Sequence, residues 1–249
     1  MTGTDIKSAV VMVTGANRGI GRALVGALRQ AGAKRIYAAA RNTDSLRDLV
    51  ASAKDRIVPV KLDVTNAADI AAAVRTAGDV NILINNAGVA SMTSDLASVS
   101  LQAARNEMEV NYFGTLAMSL AFAPVLANNG GGLLVNIGSV VSFLSFPSFA
   151  TYCPTKHAVY SLSQSLRVML AGQGTRVLTV HPGPIDTDMA KDVPMEKASP
   201  ESVAQRVISA IRNGDELVTT DPMADNLVAE WRKDPIEAQR AAVAEPMEA

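Results

Sequence analysis

The chain has 249 residues and a mass of 26.1 kDa, with 23 basic and 24 acidic residues and a sequence pI near 6.1. That length suits one α/β domain with a full core, and the even charge balance, with no basic run, excludes nucleic acid or an anionic membrane as the main partner and points to a small molecule. The single cysteine, Cys153, excludes an internal disulfide, and the opening Met1-Thr2-Gly3-Thr4-Asp5 lacks the basic-then-apolar layout of a secretion signal, so a cytoplasmic protein is expected.

Residues 9–13 (Ala-Val-Val-Met-Val) form a short unbroken apolar run, as a strand buried on both faces requires. They lead into Thr14-Gly15-Ala16-Asn17-Arg18-Gly19-Ile20-Gly21, after which Ile20, Ala23, Leu24, Ala27 and Leu28 recur at helical spacing. The glycines permit a tight turn and close backbone approach, and the helix offers amides and the positive end of its dipole to a pyrophosphate. Strand, glycine turn and helix in this order read as a dinucleotide site, with a purely structural turn as the plainer alternative.

Residues 35–40 predict a second strand, ending at Arg41-Asn42 about where a dinucleotide fold places its ribose reader. An acidic residue there would suit NAD. The chain instead has Ala40 and then Arg41, with Arg18 inside the glycine turn, and two guanidiniums suit the 2′-phosphate of NADP because Arg grips phosphate as a fork. A solvated surface charge is the alternative for either arginine. Strands at 57–62 and 80–84 with a helix at 67–76 between them continue the alternation, and their ends, Asp63-Val64 and Asn85-Asn86-Ala87-Gly88, fall where open parallel sheets bind ligands. Asp63 suits an adenine amino group and Val64 the ring, while Asp63 or Thr65 also suits the cap of the next helix.

Between residues 110 and 155 there is no Asp, Glu, Lys or Arg. Pro124, Asn128-Asn129 and Gly130-Gly131-Gly132 are expected to cut this run below the ~20 apolar residues of a membrane span, so it reads as buried in protein. A long helix over 101–127, passing through Asn111 and apolar nearly all round in its second half, needs more cover than one sheet supplies and predicts a partner helix from another subunit. A strand at 132–138 delivers Ser139, and the uncharged stretch carrying Val140, Val141, Phe143, Phe146 and Phe149 reads as an apolar substrate wall.

A helix over 152–171 follows, with Pro154 tolerated in its first turn. Tyr152 and Lys156 lie four apart on one face, so a fixed cation beside the phenol is expected to draw its pKa from ~10 toward neutrality, making an acid–base pair. A strand at 177–181, the turn Pro182-Gly183-Pro184-Ile185-Asp186-Thr187 and a short Met-bearing segment at 188–199, suited to be a lid, come next. A helix at 200–212, a short strand at Leu217-Val218 and a helical segment near 223–233 complete the fold, with a frayed tail at 241–249. Cys153 lacks the surroundings of a nucleophile, and His157 and His181 lack metal-ligand partners, so no metal is expected. His157 reads as packing, His181 at most as a border of the nicotinamide side, and Trp231 as packing rather than a subunit contact.

The glycine turn, Asp63-Val64, Asn85-Asn86-Ala87-Gly88, Asn111, Ser139, Tyr152-x-x-x-Lys156 and Pro182-Gly183…Thr187, in this order over residues 9–187, resemble the short-chain dehydrogenase/reductase family. The resemblance implies a single-domain α/β fold: a Rossmann-type, doubly wound parallel sheet of about seven strands with helices on both faces. It implies the catalytic set Asn111, Ser139, Tyr152 and Lys156, and dimers or tetramers built on the uncharged helices at 101–127 and 152–171. NADP(H) contacts are implied for Gly15, Asn17, Arg18, Gly19, Ile20, Gly21, Arg41, Asn42, Asp63, Val64, Asn86, Ala87, Gly88, Tyr152, Lys156, Pro182, Gly183, Ile185 and Thr187, the last on the nicotinamide carboxamide.

In carbonyl reduction the substrate oxygen gains charge, so Tyr152 would supply its proton and Ser139 a second hydrogen bond. Lys156 would lower the Tyr152 pKa and bond the ribose hydroxyls, and Asn111 would hold a water leading to solvent. The expected activity is reversible NADPH-dependent reduction of a small apolar ketone or aldehyde. The nearer alternative is a 3-oxoacyl-thioester reductase of fatty-acid synthesis, and the more distant one a non-catalytic NADP-binding sensor or scaffold.

Overall fold

The computed structural model describes residues 3–93 and 95–244. In chain order it contains β1 (Val10–Thr14), α1 (Gly19–Gln30), β2 (Arg35–Ala40), α2 (Arg47–Ala51), β3 (Ile57–Lys61), α3 (Ala67–Thr76) and β4 (Ile82–Asn85). Then follow α4 (Leu101–Met108), α5 (Gly114–Asn128), β5 (Gly132–Ile137), α6 (Tyr152–Ala171), β6 (Thr175–His181), α7 (Pro200–Asn213), β7 (Leu217–Thr219), α8 (Pro222–Lys233) and α9 (Pro235–Ala244). The strands form one seven-stranded parallel sheet in the order β3-β2-β1-β4-β5-β6-β7. The winding reverses between β1 and β4, which opens a crevice at the carboxyl ends of the strands.

Side chains alternate across the sheet, so each central strand feeds two cores. Val11 and Val13 of β1 pack with Leu24, Leu28, Val207 and Ile211 from α1 and α7 on one face. Val10 and Met12 pack on the other with Met118, Phe122 and Leu166 from α5 and α6. Each large side chain buried in this way contributes about 1.5–3 kcal/mol, which is why these strands read as unbroken apolar runs.

Two expectations are corrected here. The helix expected over 101–127 runs from Leu101 to Asn128 and ends where Asn128-Asn129 and the glycines were expected to cut the run, but Pro124 does not interrupt it, and by length and composition it is long enough and apolar enough to cross a membrane. Pro124 sits inside α5 without ending it, because a proline removes one backbone donor and the surrounding turns persist. One face of that helix is spent on the sheet, with Met118, Phe122, Val125 and Leu126 buried. Between α4 and α5 the helix widens to a π turn at Glu109–Phe113, which carries Asn111.

The chain is also helical to Ala244, past the point where fraying was expected. Asp234 Oδ1 accepts from the amides of Ile236 and Glu237 at 2.9 and 3.1 Å, and the Gln239 side chain exchanges two 2.7 Å bonds with the Ser145 backbone, so α9 is capped and tied down. Residues 245–249 of the expected tail lie outside the described residues.

Candidate active site

The carboxyl ends of β1, β2, β4, β5 and β6 border a cleft of about 540 Å³, a size suited to a small-molecule site. Its floor is the β1–α1 turn. Gly15 has φ 64°, and a Cβ on Gly21 would lie 2.3 Å from the Gly15 carbonyl oxygen and 2.5 Å from Asn86 Nδ2. Only glycine lets the turn close this far. Asn86 Nδ2 donates to the Thr14 and Gly15 carbonyls at 2.9 and 3.2 Å, and Thr14 Oγ1 accepts from the Asn86 and Ala87 amides at 2.9 and 3.0 Å. No side chain caps α1, so its first amides are open to the cleft beside Asn17, Gly19, Ile20 and Gly21. A cradle that a Cβ would fill, at an uncapped helix N-terminus, fits a pyrophosphate.

At the end of β2, Ala40, Arg41, Asn42 and Ser45 line the cleft. Arg41 is exposed and has no ion-pair partner among the described residues. Arg18 instead reaches Asp188 at 3.2 Å, so one of the two expected guanidiniums is engaged by the segment after Thr187. Asp63 accepts from the Thr65 amide at 2.9 Å and the Thr65 hydroxyl at 2.7 Å, and these bonds hold its carboxyl below the usual range. It lines the cleft with Val64, but the cap of α3 is Asn66, which accepts from Asp69 N at 3.0 Å; neither Asp63 nor Thr65 fills that role.

Ser139, Tyr152 and Lys156 converge at the other end, beside Gly88, Pro182, Gly183, Ile185 and Thr187. Ser139 follows β5 and starts a 3₁₀ turn; its hydroxyl donates to the Pro182 carbonyl and accepts from Val141 N, both at 3.3 Å. The Pro182–Gly183 turn is itself anchored by buried Asp221, whose Oδ2 accepts from Gly183 N at 2.8 Å and whose Oδ1 accepts from Ala224 N at 2.9 Å. Asn111 lies behind this end. Its amide donates to Thr155 Oγ1 at 2.9 Å and exchanges two 2.8 Å bonds with the Val89 backbone.

Lys156 is buried, and burial pushes its ammonium down to about 8. Its Nζ donates to the Ile137 carbonyl at 2.9 Å and lies 5.6 Å from the centre of the Tyr152 ring. Tyr152 opens to the cleft but is hemmed in by protein. Burial pushes its phenol above the ordinary value, with Cys153 and then Glu107 adding to the rise. In the protein alone, then, burial sets the direction of the phenol's shift, upward rather than toward the neutrality expected from Lys156.

Of the expected substrate wall, Val140, Val141, Phe146 and Phe149 line the cleft. Phe143 does not. It follows the 3₁₀ turn and points beneath it, with its ring 4.5 Å from His181 and 4.8 Å from both Tyr160 and Trp231. His181 is likewise behind the site, with Nδ1 3.0 Å from the Ser139 carbonyl, and Trp231 is packing. His157 Nδ1 lies 3.0 Å from the Cys153 carbonyl, within its own helix.

The sequence reading omitted Val89 and Ala90, which continue from Asn-Asn-Ala-Gly, and Met223, which arrives from α8 without a local signal. Met189, Val193 and Met195 bring the 188–199 segment over the cleft, and an Ile185–Ala198 bridge closes its base. Among the described residues no cluster of His, Cys, Asp or Glu is arranged to hold a metal.

Residues 9–198 match the family model described as short chain dehydrogenase. The chain belongs to the short-chain dehydrogenase family. An uncharacterized oxidoreductase of Staphylococcus aureus is 32% identical over 216 residues, covering 84% of this chain and 93% of that one. A short-chain dehydrogenase from Burkholderia cenocepacia, solved in complex with NADP, superposes with a TM-score of 0.90 at 38% identity, covering 98% of this chain and 100% of its own. A Burkholderia phymatum member solved with NAD gives 0.82 at 26% identity, covering 95% and 96%. This short-chain dehydrogenase is thus an oxidoreductase whose seven-stranded sheet and helical layers are those of the family's Rossmann fold.

Proposed function

We propose that this short-chain dehydrogenase is an NADP(H)-dependent carbonyl reductase acting on an uncharged, apolar ketone or aldehyde. One observation carries the reading. A single cleft has the glycine cradle and Arg41 at one end and Ser139, Tyr152 and Lys156 at the other, and on the substrate side its walls are Val141, Phe146, Phe149, Met189, Met195 and Met223. A nicotinamide cofactor bound along the cleft supplies the hydride. Tyr152 gives its proton to the carbonyl oxygen, and the Ser139 hydroxyl donates a second hydrogen bond to the charge developing there. Lys156 is a cation held in a dry site one turn from the phenol and would hydrogen-bond the ribose hydroxyls of a bound cofactor, and Asn111 braces the first turn of α6 through Thr155.

The phosphate-bearing cofactor is favoured by Arg41 and by the NADP in the B. cenocepacia relative. A carrier-borne thioester is less favoured: in the 188–199 segment Lys191 and Lys197 are matched by Asp188, Asp192 and Glu196, which gives no basic patch for an acidic carrier there. Exposed Leu101, Phe113, Leu120, Val168 and Met169 on α4 to α6 favour a dimer or tetramer, and the lone buried cysteine favours a cytoplasmic location. Incubation with NADPH and a panel of aryl and alkyl ketones and aldehydes tests the reading. Turnover is expected with the apolar members, and a panel with no NADPH oxidation above a Tyr152→Phe control refutes it.

A further inference from the structure

β6 ends in His181, a side chain that the proposed reaction leaves unused. It is wholly buried and its ring rests on Gly138, where a Cβ would lie 2.8 Å from Nδ1 and 2.9 Å from Cε1. Nδ1 stands 3.0 Å from the Ser139 carbonyl oxygen. A carbonyl only accepts, so Nδ1 carries the proton, and Nε2 is left as a bare lone pair. Nε2 is buried with no hydrogen-bond partner, and the rings of Phe143 and Tyr160 pack on the imidazole at 4.5 and 5.4 Å. An orphaned acceptor among aromatic rings costs stability that an apolar side chain would not, so what the imidazole contributes is its Nδ1–H.

The Ser139 hydroxyl, in contrast, is held loosely. Its bonds to the Pro182 carbonyl and from Val141 N are both 3.3 Å, longer than the roughly 2.7–2.8 Å usual for a hydroxyl donor. It can turn to a substrate oxygen, and its aim is set by the backbone that carries it. Two donors reach the Ser139 carbonyl, the Ser142 amide at 2.9 Å and His181 Nδ1. The first lies inside the 3₁₀ turn and moves with it, whereas the second ties that turn to β6. The Val140 amide, bonded to the Pro182 carbonyl at 2.9 Å, makes the neighbouring tie.

We propose that His181 is a positioning residue for Ser139: its Nδ1–H fixes the Ser139 carbonyl against the end of β6 and so aims the Ser139 hydroxyl at the carbonyl oxygen of the substrate. This rests on the reading of Ser139 as the second hydrogen-bond donor in carbonyl reduction. Burial, which pushes the imidazole down to about 4, keeps it in the one-proton form that this bond uses.

The test compares His181→Leu with His181→Asn, which are close in size, while only Asn can put an N–H where Nδ1 stands. Single-turnover hydride transfer from bound NADPH to a ketone that the parent reduces should slow by about 10- to 100-fold in the Leu variant, part of what deleting such a donor costs. NADPH affinity should stay unchanged, and Asn should recover most of the lost rate. In a Ser139→Ala background, His181→Leu should slow the reaction by less than about twofold, because the group it aims is gone. Equal slowing by Leu and Asn overturns the proposal. So does a Leu penalty as large without the Ser139 hydroxyl as with it, which would leave His181 a structural role only. Nitrogen-15 NMR of the imidazoles, with His181 assigned by its loss in the Asn variant, reads the bond without substrate. A proton on Nδ1 is expected, and one on Nε2 alone overturns the proposal. An Nδ1 proton in a parent that reduces no carbonyl upholds the hold on Ser139 and sinks the reductase reading. If His181→Leu does not fold, His181→Phe refills the ring's place without a donor, and the same loss is expected.

Discussion

Replacing Asp221 by Ala removes a carboxylate that does two jobs at once. Its Oδ1 caps α8 through Ala224 N, and its Oδ2 holds Gly183 N from the turn beside Ser139, with Thr220 Oγ1 donating to the same oxygen at 3.1 Å. Loss of an N-cap costs about 1 kcal/mol, and leaving a buried amide without a partner costs about 1–3 kcal/mol. The total, about 2–4 kcal/mol, corresponds to roughly 4–16 °C in Tm for a chain of this size. Asp221→Asn keeps one acceptor oxygen and should lose about half as much, because one of the two amides stays satisfied. Chemical denaturation of parent, Asn and Ala variants gives the graded series, and NADPH titration reports the same loosening, since the Gly183 turn borders the cleft. An Ala variant within about 0.5 kcal/mol of the parent, the range of ordinary surface changes, refutes the reasoning. So does an Asn variant as unstable as the Ala variant.

Arg41→Ala should weaken NADPH binding by roughly 10- to 100-fold, the worth of a charged hydrogen bond, and leave NADH within twofold; equal losses for both would remove the 2′-phosphate from its role. Gly21→Ala forces a Cβ to 2.3 Å from the Gly15 carbonyl oxygen, a backbone atom that moves only with the turn. It should cost about 1–3 kcal/mol in a thermal melt, as overpacking does, and lower cofactor affinity in a fluorescence titration. Burial lowers the His181 pKa from 6.5 to about 4, so between those values the unfolded chain binds a proton that the folded chain does not. Its contribution to stability is complete above pH 6.5 and is lost as pH falls toward 4. Denaturation midpoints across that window should slope less in His181→Asn than in the parent.

What could be read from the sequence was local. β1, the glycine turn and α1 follow one another within a single stretch, and apolar runs and helical spacing declare themselves there. α6 begins at Tyr152 as expected, which places Lys156 one turn on. What could not be read depended on distant chain. An uncharged run does not tell which way each side chain turns, so Phe143 looked like the wall it in fact supports from behind: the 3₁₀ turn at Val140–Ser142 rotates it toward His181 and Trp231. Glu107 is plain in the sequence, but its burial and its bond to Ser91, 16 residues earlier, are not. Lys156 Nζ stands 5.6 Å from the centre of the Tyr152 ring, as a spacing of four implies, whereas the burial that pushes the phenol up is not legible in that spacing.

The π turn at Glu109–Phe113 makes one long helix behave as two. An added residue in a single turn offsets the stripes on either side of it, so α4 addresses the 89–91 segment through Glu107, which accepts from Ser91, while α5 addresses the sheet through Met118 and Phe122. Deleting one residue within that turn would restore an even pitch and swing the α4 stripe by about 100° relative to α5. Glu107 would leave the 89–91 wall while Met118 and Phe122 kept their places under the sheet. The offset thus uncouples two sets of demands on one rod: substitutions that tune the wall of the cleft need not disturb the core, and repacking of the core need not retune the wall.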